Sequence, residues 1–212
     1  MNKIVVVGAG KTGRGFIARL LQEASEEVIF IDKNKELVEE LNASKEFKVS
    51  FFGNVREAYV VNNFKAYTWE NAELEDAELI LVSVGGQNLK DVGASLAPLL
   101  KDEKHYYIIT AENASHPSKT LREAIGKENI SVSESTVFCT TIEDGGLDIN
   151  SENYPYFQCD ADLLEGYIPT AKTLKPIGNF SNFLTRKLYT YNAASCVIAY
   201  IGWKKEIGRA HV

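Results

Sequence analysis

Close to the start of the 212-residue chain, Gly8, Gly10 and Gly13 share the stretch Gly8-Ala9-Gly10-Lys11-Thr12-Gly13. Glycines at this spacing suit a backbone that turns sharply, comes close to an anion and then packs a helix tightly on a strand. The chemistry expected of Gly8, Ala9, Gly10, Lys11, Thr12 and Gly13 is therefore to cradle a pyrophosphate, with the N-terminus of the following helix facing the phosphates. Asp32 lies at the distance where such a fold places an acid that accepts hydrogen bonds from adenosine ribose hydroxyls. A carboxylate there repels a 2′-phosphate, so the expected cofactor is NAD rather than NADP, with Lys33 and Lys35 as the opposing charges beside it. Further on, Gly85 ends an apolar run and is expected where the backbone passes the nicotinamide ribose. Glu112-Asn113 follows another apolar run, in a position suited to substrate chemistry, although Asn113 could equally cap the helix that Pro117 and Leu121 announce.

These residues need elements to hold them. The run Ile4-Val5-Val6-Val7 reads as a strand buried on both faces, and Phe16, Ile17, Leu20 and Leu21 recur at helical spacing after the glycines. A strand over residues 28–31 then ends at Asp32, and Leu37, Val38 and Leu41 suggest a helix. Residues 47–52, 58–61 and 64–69 read as short strands, together an insertion. Alternation resumes with a strand over 78–84, a helix through Leu89, Val92, Leu96 and Leu99, and a strand over 106–110. This is the order of an α/β, Rossmann-type doubly wound sheet. Beyond it, residues 130–142 read as one extended strand or bent hairpin, Gly145-Gly146 as a turn and 154–157 as a short strand, with Pro169 and Pro176 breaking the pattern. A helix is expected from Asn182 to near Gly202, with Phe183, Leu184, Leu188, Tyr191, Ala194, Ile198 and Ile201 on one broad apolar face. That face predicts self-association.

Composition narrows the function classes. With 45% hydrophobic and 25% charged residues the chain reads as globular. A formal net charge of −6 argues against general affinity for nucleic acid or an anionic membrane. The apolar runs are too short to cross a bilayer, the N-terminus has no signal core, and a cytoplasmic location is expected. Cys139, Cys159 and Cys196 lack metal-ligand spacing, so no metal is expected. Gly10-Lys11-Thr12 also looks like the end of a triphosphate-binding loop, but Val5 stands where that motif needs its first glycine.

Arg186-Lys187-Leu188-Tyr189-Thr190-Tyr191-Asn192, followed by Ala199-Tyr200-Ile201-Gly202, resembles the signature helix of the polyol-specific long-chain dehydrogenases. Gly8-Ala9-Gly10 with Gly13-Arg14-Gly15-Phe16-Ile17, and the pair Glu112-Asn113, are similar to that family as well. The resemblance implies NAD-dependent oxidation of a polyol or polyol phosphate without a metal. Lys187 would take the hydroxyl proton, and Asn192 and Asn113 would hydrogen-bond the developing alkoxide. It also implies a Rossmann domain over residues 1–185 with a β extension, and the beginning of a truncated, all-α substrate domain at 186–212. Two positions depart from the family. Ser195 stands where the pattern has histidine, and Cys139-Thr140-Thr141-Ile142-Glu143-Asp144 replaces Asp-Ser-x-Val-Asp-Arg. These departures keep a second expectation open, a catalytically silent NAD(H)-binding or sensing module.

Overall fold

The computed structural model describes residues 2–74 and 76–207. Two compact units make up the chain, Met1–Ile177 and Gly178–Val212.

In the first unit, β1 (Lys3–Val7) leads through the glycine turn into a π-helical turn (Gly13–Ala18) and α1 (Arg19–Glu23). After these come β2 (Glu27–Ile31), α2 (Lys35–Ser44), β3 (Phe47–Phe51), β4 (Tyr59–Val61), β5 (Phe64–Tyr67) and β6 (Leu79–Val82). The unit continues with α3 (Leu89–Leu96), β7 (Tyr106–Thr110), α4 (Pro117–Ile125) and β8 (Ile130–Thr136). It closes with β9 (Thr141–Glu143), β10 (Ile149–Ser151), β11 (Phe157–Asp160) and β12 (Leu174–Ile177).

Eight of these strands form one sheet in the order β12-β11-β8-β7-β6-β1-β2-β5. From β5 to β8 neighbours pair in parallel, and β11 reverses direction against β8. Alternation along the central strands explains their unbroken apolar runs. Val5, Val7, Ile29, Ile31, Ile80 and Val82 join the core under α3 and α4. Ile4, Val6, Val28, Phe30, Leu79 and Leu81 join the opposite core, with Phe16, Ile17, Leu20 and Leu21. Burying each such side chain contributes roughly 1.5–3 kcal/mol before entropy is charged against it, so this sheet is the frame on which the loops are set. Local signals stop and start the helices: the Asn34 side chain accepts the Leu37 N–H at the head of α2, and left-handed Gly126 ends α4.

Several sequence expectations change here. The supposed insertion over 47–69 divides: β3 and β4 enter a second sheet, of order β4-β3-β10-β9, whereas β5 pairs with β2 as an edge of the main sheet. Residues 130–142 are not one strand, because β8 stays in the main sheet and β9 enters the second. The strand expected at 154–157 runs instead over β11. Pro176 does not end the sheet; it sits in β12, an edge strand, where a residue without an N–H leaves no inner ladder bond unmade.

The second unit comprises α5 (Phe180–Lys187), a π-helical turn (Leu188–Asn192) and α6 (Ala193–Lys204). The helical run starts at Phe180, two residues before the expected Asn182 and after left-handed Asn179, and passes through Gly202. Leu188, Tyr191, Ile198 and Ile201 are exposed, and α6 has no buried residue. Among the described residues no helix is long and apolar enough to cross a membrane.

Candidate functional site

At the carboxyl edge of the main sheet, the loops that leave four adjacent strands are tied by backbone hydrogen bonds. Gly8 N–H donates to Ile31 O (2.8 Å), Asp32 N–H to Tyr67 O (3.0 Å), Ser83 N–H to Val7 O (2.8 Å) and Ala111 N–H to Val82 O (2.7 Å). The glycine loop therefore lies between the strand end that carries Asp32 and the one that leads to Gly85.

Each glycine of the loop has a separate reason to lack a side chain. Gly8 has φ +97°, and a Cβ there would collide with the Ser83 carbonyl; a Cβ on Gly13 would collide with the carbonyl of Gly8. Gly10 is different, because a Cβ on it would meet nothing within 4 Å. So two glycines close the turn on itself, and the third presents bare backbone to open space, as a pyrophosphate cradle requires. The residues present fit a dinucleotide. Lys11 is exposed beside this opening, and the half-buried Thr12 places its Oγ1 3.5 Å from Thr141 Oγ1.

Asp32 is held against the same loop. Its Oδ2 accepts the Ala9 N–H (2.7 Å) and its Oδ1 the Asn34 N–H (2.8 Å). Of the two neighbouring lysines, Lys35 pairs with Glu39 at 3.8 Å, both side chains exposed, and Lys33 is exposed.

Across the edge, Gly85 adopts φ +85°. Glu112, buried to 7% exposure, accepts the Val84 N–H (2.6 Å) and the Gly85 N–H (3.0 Å) on its Oε1. Burial pushes this carboxyl above the usual range, against the pull of those two N–H groups. Asn113 beside it is exposed. The Glu-Asn pair thus divides its work: Glu112 turns inward onto the Gly85 loop and Asn113 outward.

Lys187 and Asn192 belong to the second unit. Lys187 closes α5, is half-buried, and has its pKa lowered by that burial. Asn192 closes the π turn, where the Ala193 N–H reaches back to Leu188 O. Hydrogen bonds of this i→i+5 kind bring residues five apart closer to one helix face than an α-helix would, and such turns recur at functional sites. Ser195 follows, exposed, on α6. Among the described residues no three His, Cys, Asp or Glu side chains gather as a metal-ligand cluster.

The sequence reading missed Arg14, a fully buried cation in the first turn after the loop (1% exposed). The signal available was an arginine flanked by Gly13 and Gly15, at a helical position beside the apolar Phe16 and Ile17.

A parallel sheet whose first strand ends in this glycine turn, with an acid at the tip of the second, defines a Rossmann-type domain of the NAD(P)-binding oxidoreductases. Residues 4–159 match the family described as ketopantoate reductase PanE/ApbA, and the chain belongs to that family. It is also similar to a mannitol-1-phosphate 5-dehydrogenase of Thermoanaerobacter pseudethanolicus, at 29% identity over 97% of this chain and 59% of the relative. The chain therefore spans about three-fifths of that relative's length. Among solved structures, a putative 2-dehydropantoate 2-reductase from Enterococcus faecalis shares the fold with TM-score 0.60 and 19% identity, over 84% of this chain and 56% of that one. A D-mandelate dehydrogenase in a ternary structure with NADH and anilino(oxo)acetate does so with TM-score 0.61 and 16% identity, over 84% and 56%. The expected polyol dehydrogenase resemblance is thus met by mannitol-1-phosphate 5-dehydrogenase relatives, while the family match itself falls to the ketopantoate reductases.

Proposed function

We propose that the chain is the cofactor-binding part of an NAD-dependent dehydrogenase acting on a polyol or polyol phosphate of the mannitol 1-phosphate type. The observation that carries the cofactor preference is the Asp32 carboxylate, oriented by the N–H groups of Ala9 and Asn34. Each of its oxygens keeps a lone pair for a ribose hydroxyl, and its charge opposes a 2′-phosphate. Gly85 is assigned to the nicotinamide side of the cofactor.

The substrate reading rests on Lys187, Asn192 and Asn113 and on the mannitol-1-phosphate 5-dehydrogenase relatives. Bound nicotinamide supplies the hydride acceptor for the alcohol carbon. The ε-amine of Lys187 takes the hydroxyl proton, and the amides of Asn192 and Asn113 donate to the oxygen as it becomes negative. Burial favours the neutral amine that this role needs. In this reading residues 186–212 open a helical substrate domain and the protein works in the cytoplasm.

Calorimetric titration tests the cofactor assignment. NADH should bind more tightly than NADPH, and Asp32→Ala should narrow the difference by about tenfold, the worth of a lost hydrogen bond to a charged group. Equal or reversed affinities in the unaltered chain overturn it. One residue favours a second reading, a silent NAD(H)-sensing module: Ser195 stands where the dehydrogenase pattern has histidine. NADH binding without turnover, with activity appearing on Ser195→His, would decide for that module.

A further inference from the structure

Arg14 is buried where a cation needs a reason to be. Its three bonding groups all point into the protein: Nη1 donates to Ala9 O (2.5 Å), Nε to Leu147 O (3.1 Å) and Nη2 to Glu143 Oε1 (3.4 Å). The one carboxylate among these partners is 62% exposed, so little of the cost of burying the guanidinium is recovered from that ion pair. What the guanidinium does hold firmly is backbone. Ala9, itself wholly buried, has its carbonyl on Arg14 and its N–H on Asp32 Oδ2. The middle residue of the glycine turn is gripped from both sides, by a fixed cation and by the acid at the tip of β2.

The other end of the guanidinium reaches the second sheet. Leu147 and Glu143 flank the turn between β9 and β10, and that hairpin rests directly on the first helical turn. A Cβ on Gly15 would collide with the Ile149 side chain and come within 3.3 Å of Thr141 Cγ2. Arg14 can therefore not swing away without lifting the hairpin, and close-packed interiors resist such shifts.

We propose that Arg14 is the positioning residue of the dinucleotide site: by anchoring the Ala9 carbonyl to the β9–β10 turn, it fixes the Ala9 N–H on Asp32 and thereby orients the carboxylate that discriminates NADH from NADPH. This rests on the dinucleotide reading given above and adds a residue to it that touches no ligand. Removing the guanidinium frees residue 9, and Asp32 loses the partner that aims its Oδ2. A fork of planar N–H donors is needed, because a lysine keeps the charge but cannot hold Ala9 and Leu147 together.

The test is titration of the full chain with NADH and with NADPH, for the unaltered protein, Arg14→Met and Arg14→Lys, with circular dichroism and thermal unfolding recorded for each. Arg14→Met should weaken NADH binding by about tenfold and NADPH binding by less, as expected when a hydrogen bond to a charged group is lost from one ligand's site. Arg14→Lys should fall between. The ratio of the two affinities is the deciding readout, since general loosening of the fold would weaken both cofactors alike. A folded Arg14→Met with NADH affinity within twofold of the unaltered chain, or with an unchanged ratio, overturns the proposal. Where Arg14→Met does not fold, the ratio in Arg14→Lys decides by the same criterion. Failure of the unaltered chain to bind either cofactor would instead overturn the dinucleotide reading itself, and this proposal with it.

Discussion

The glycine-loop edge of the first unit and the helices of the second place their candidate residues by opposite means. At the sheet edge, Gly8, Asp32, Ser83 and Ala111 are fixed through their own backbone N–H groups to neighbouring strands, and buried Glu112 and Arg14 brace the loops from within. In the second unit the Thr185 and Thr190 hydroxyls bond locally, to Ser181 O and Arg186 O, and the large apolar residues of α6 face solvent. The first arrangement is preorganised, because its geometry is over-determined by the sheet. The second holds Lys187 and Asn192 on helical turns beside an exposed apolar surface.

The sharpest way to separate the regions is to remove Lys187. With mannitol 1-phosphate and NAD, Lys187→Ala should cost roughly 10²–10⁴ in turnover, the usual worth of a positioned proton acceptor. NADH affinity, set by the first unit, should stay nearly unchanged. Because burial lowers the lysine pKa, turnover should rise with pH and level off below the ordinary lysine value of about 10.4. Full activity in Lys187→Ala would end the base assignment.

Stability should divide the two regions next. Leu121 on α4 is wholly buried, whereas Ile198 on α6 is 71% exposed. Chemical denaturation of Leu121→Ala should show a loss of about 2–5 kcal/mol, and Ile198→Ala a change within about 0.5 kcal/mol. If the exposed face drives self-association, light scattering should show smaller particles for Ile198→Ala, and a hydrophobic dye should bind it less. An Ile198→Ala loss as large as that of Leu121→Ala would erase the contrast.

The smallest effect concerns Glu112. Its pKa is raised in the folded chain, so folding takes up a proton there: the ionised form is penalised, and stability falls as pH rises from the unfolded value of about 4.3 through the folded one. Glu112→Gln keeps an oxygen for the Val84 and Gly85 N–H groups and removes the penalty. Its denaturation midpoint should therefore be less sensitive to pH across that window than the unaltered chain's. An identical pH profile would show that Glu112 bears no such strain.

How much could be read before folding differs between these features. The glycine turn, the central strands and Asp32 were legible because they are local: apolar period, a turn that only glycine permits, and an acid at a fixed distance along one βαβ unit. The second sheet was not, since β3 pairs with β10 across about a hundred residues, and short strands carry no record of their partners. For the same reason residues 130–142 read as one extended strand or a bent hairpin, although they serve two sheets.

The sequence by itself determined the Rossmann class, the identity of the loop residues and the helical character of 182–202. Only tertiary structure decided that Ala9 is held between Arg14 and Asp32, that Glu112 accepts the Val84 and Gly85 N–H groups, and that the 141–151 hairpin seals Gly15. Those outcomes depend on which polar groups must be satisfied once water is excluded, and burial is settled by segments far apart in the chain.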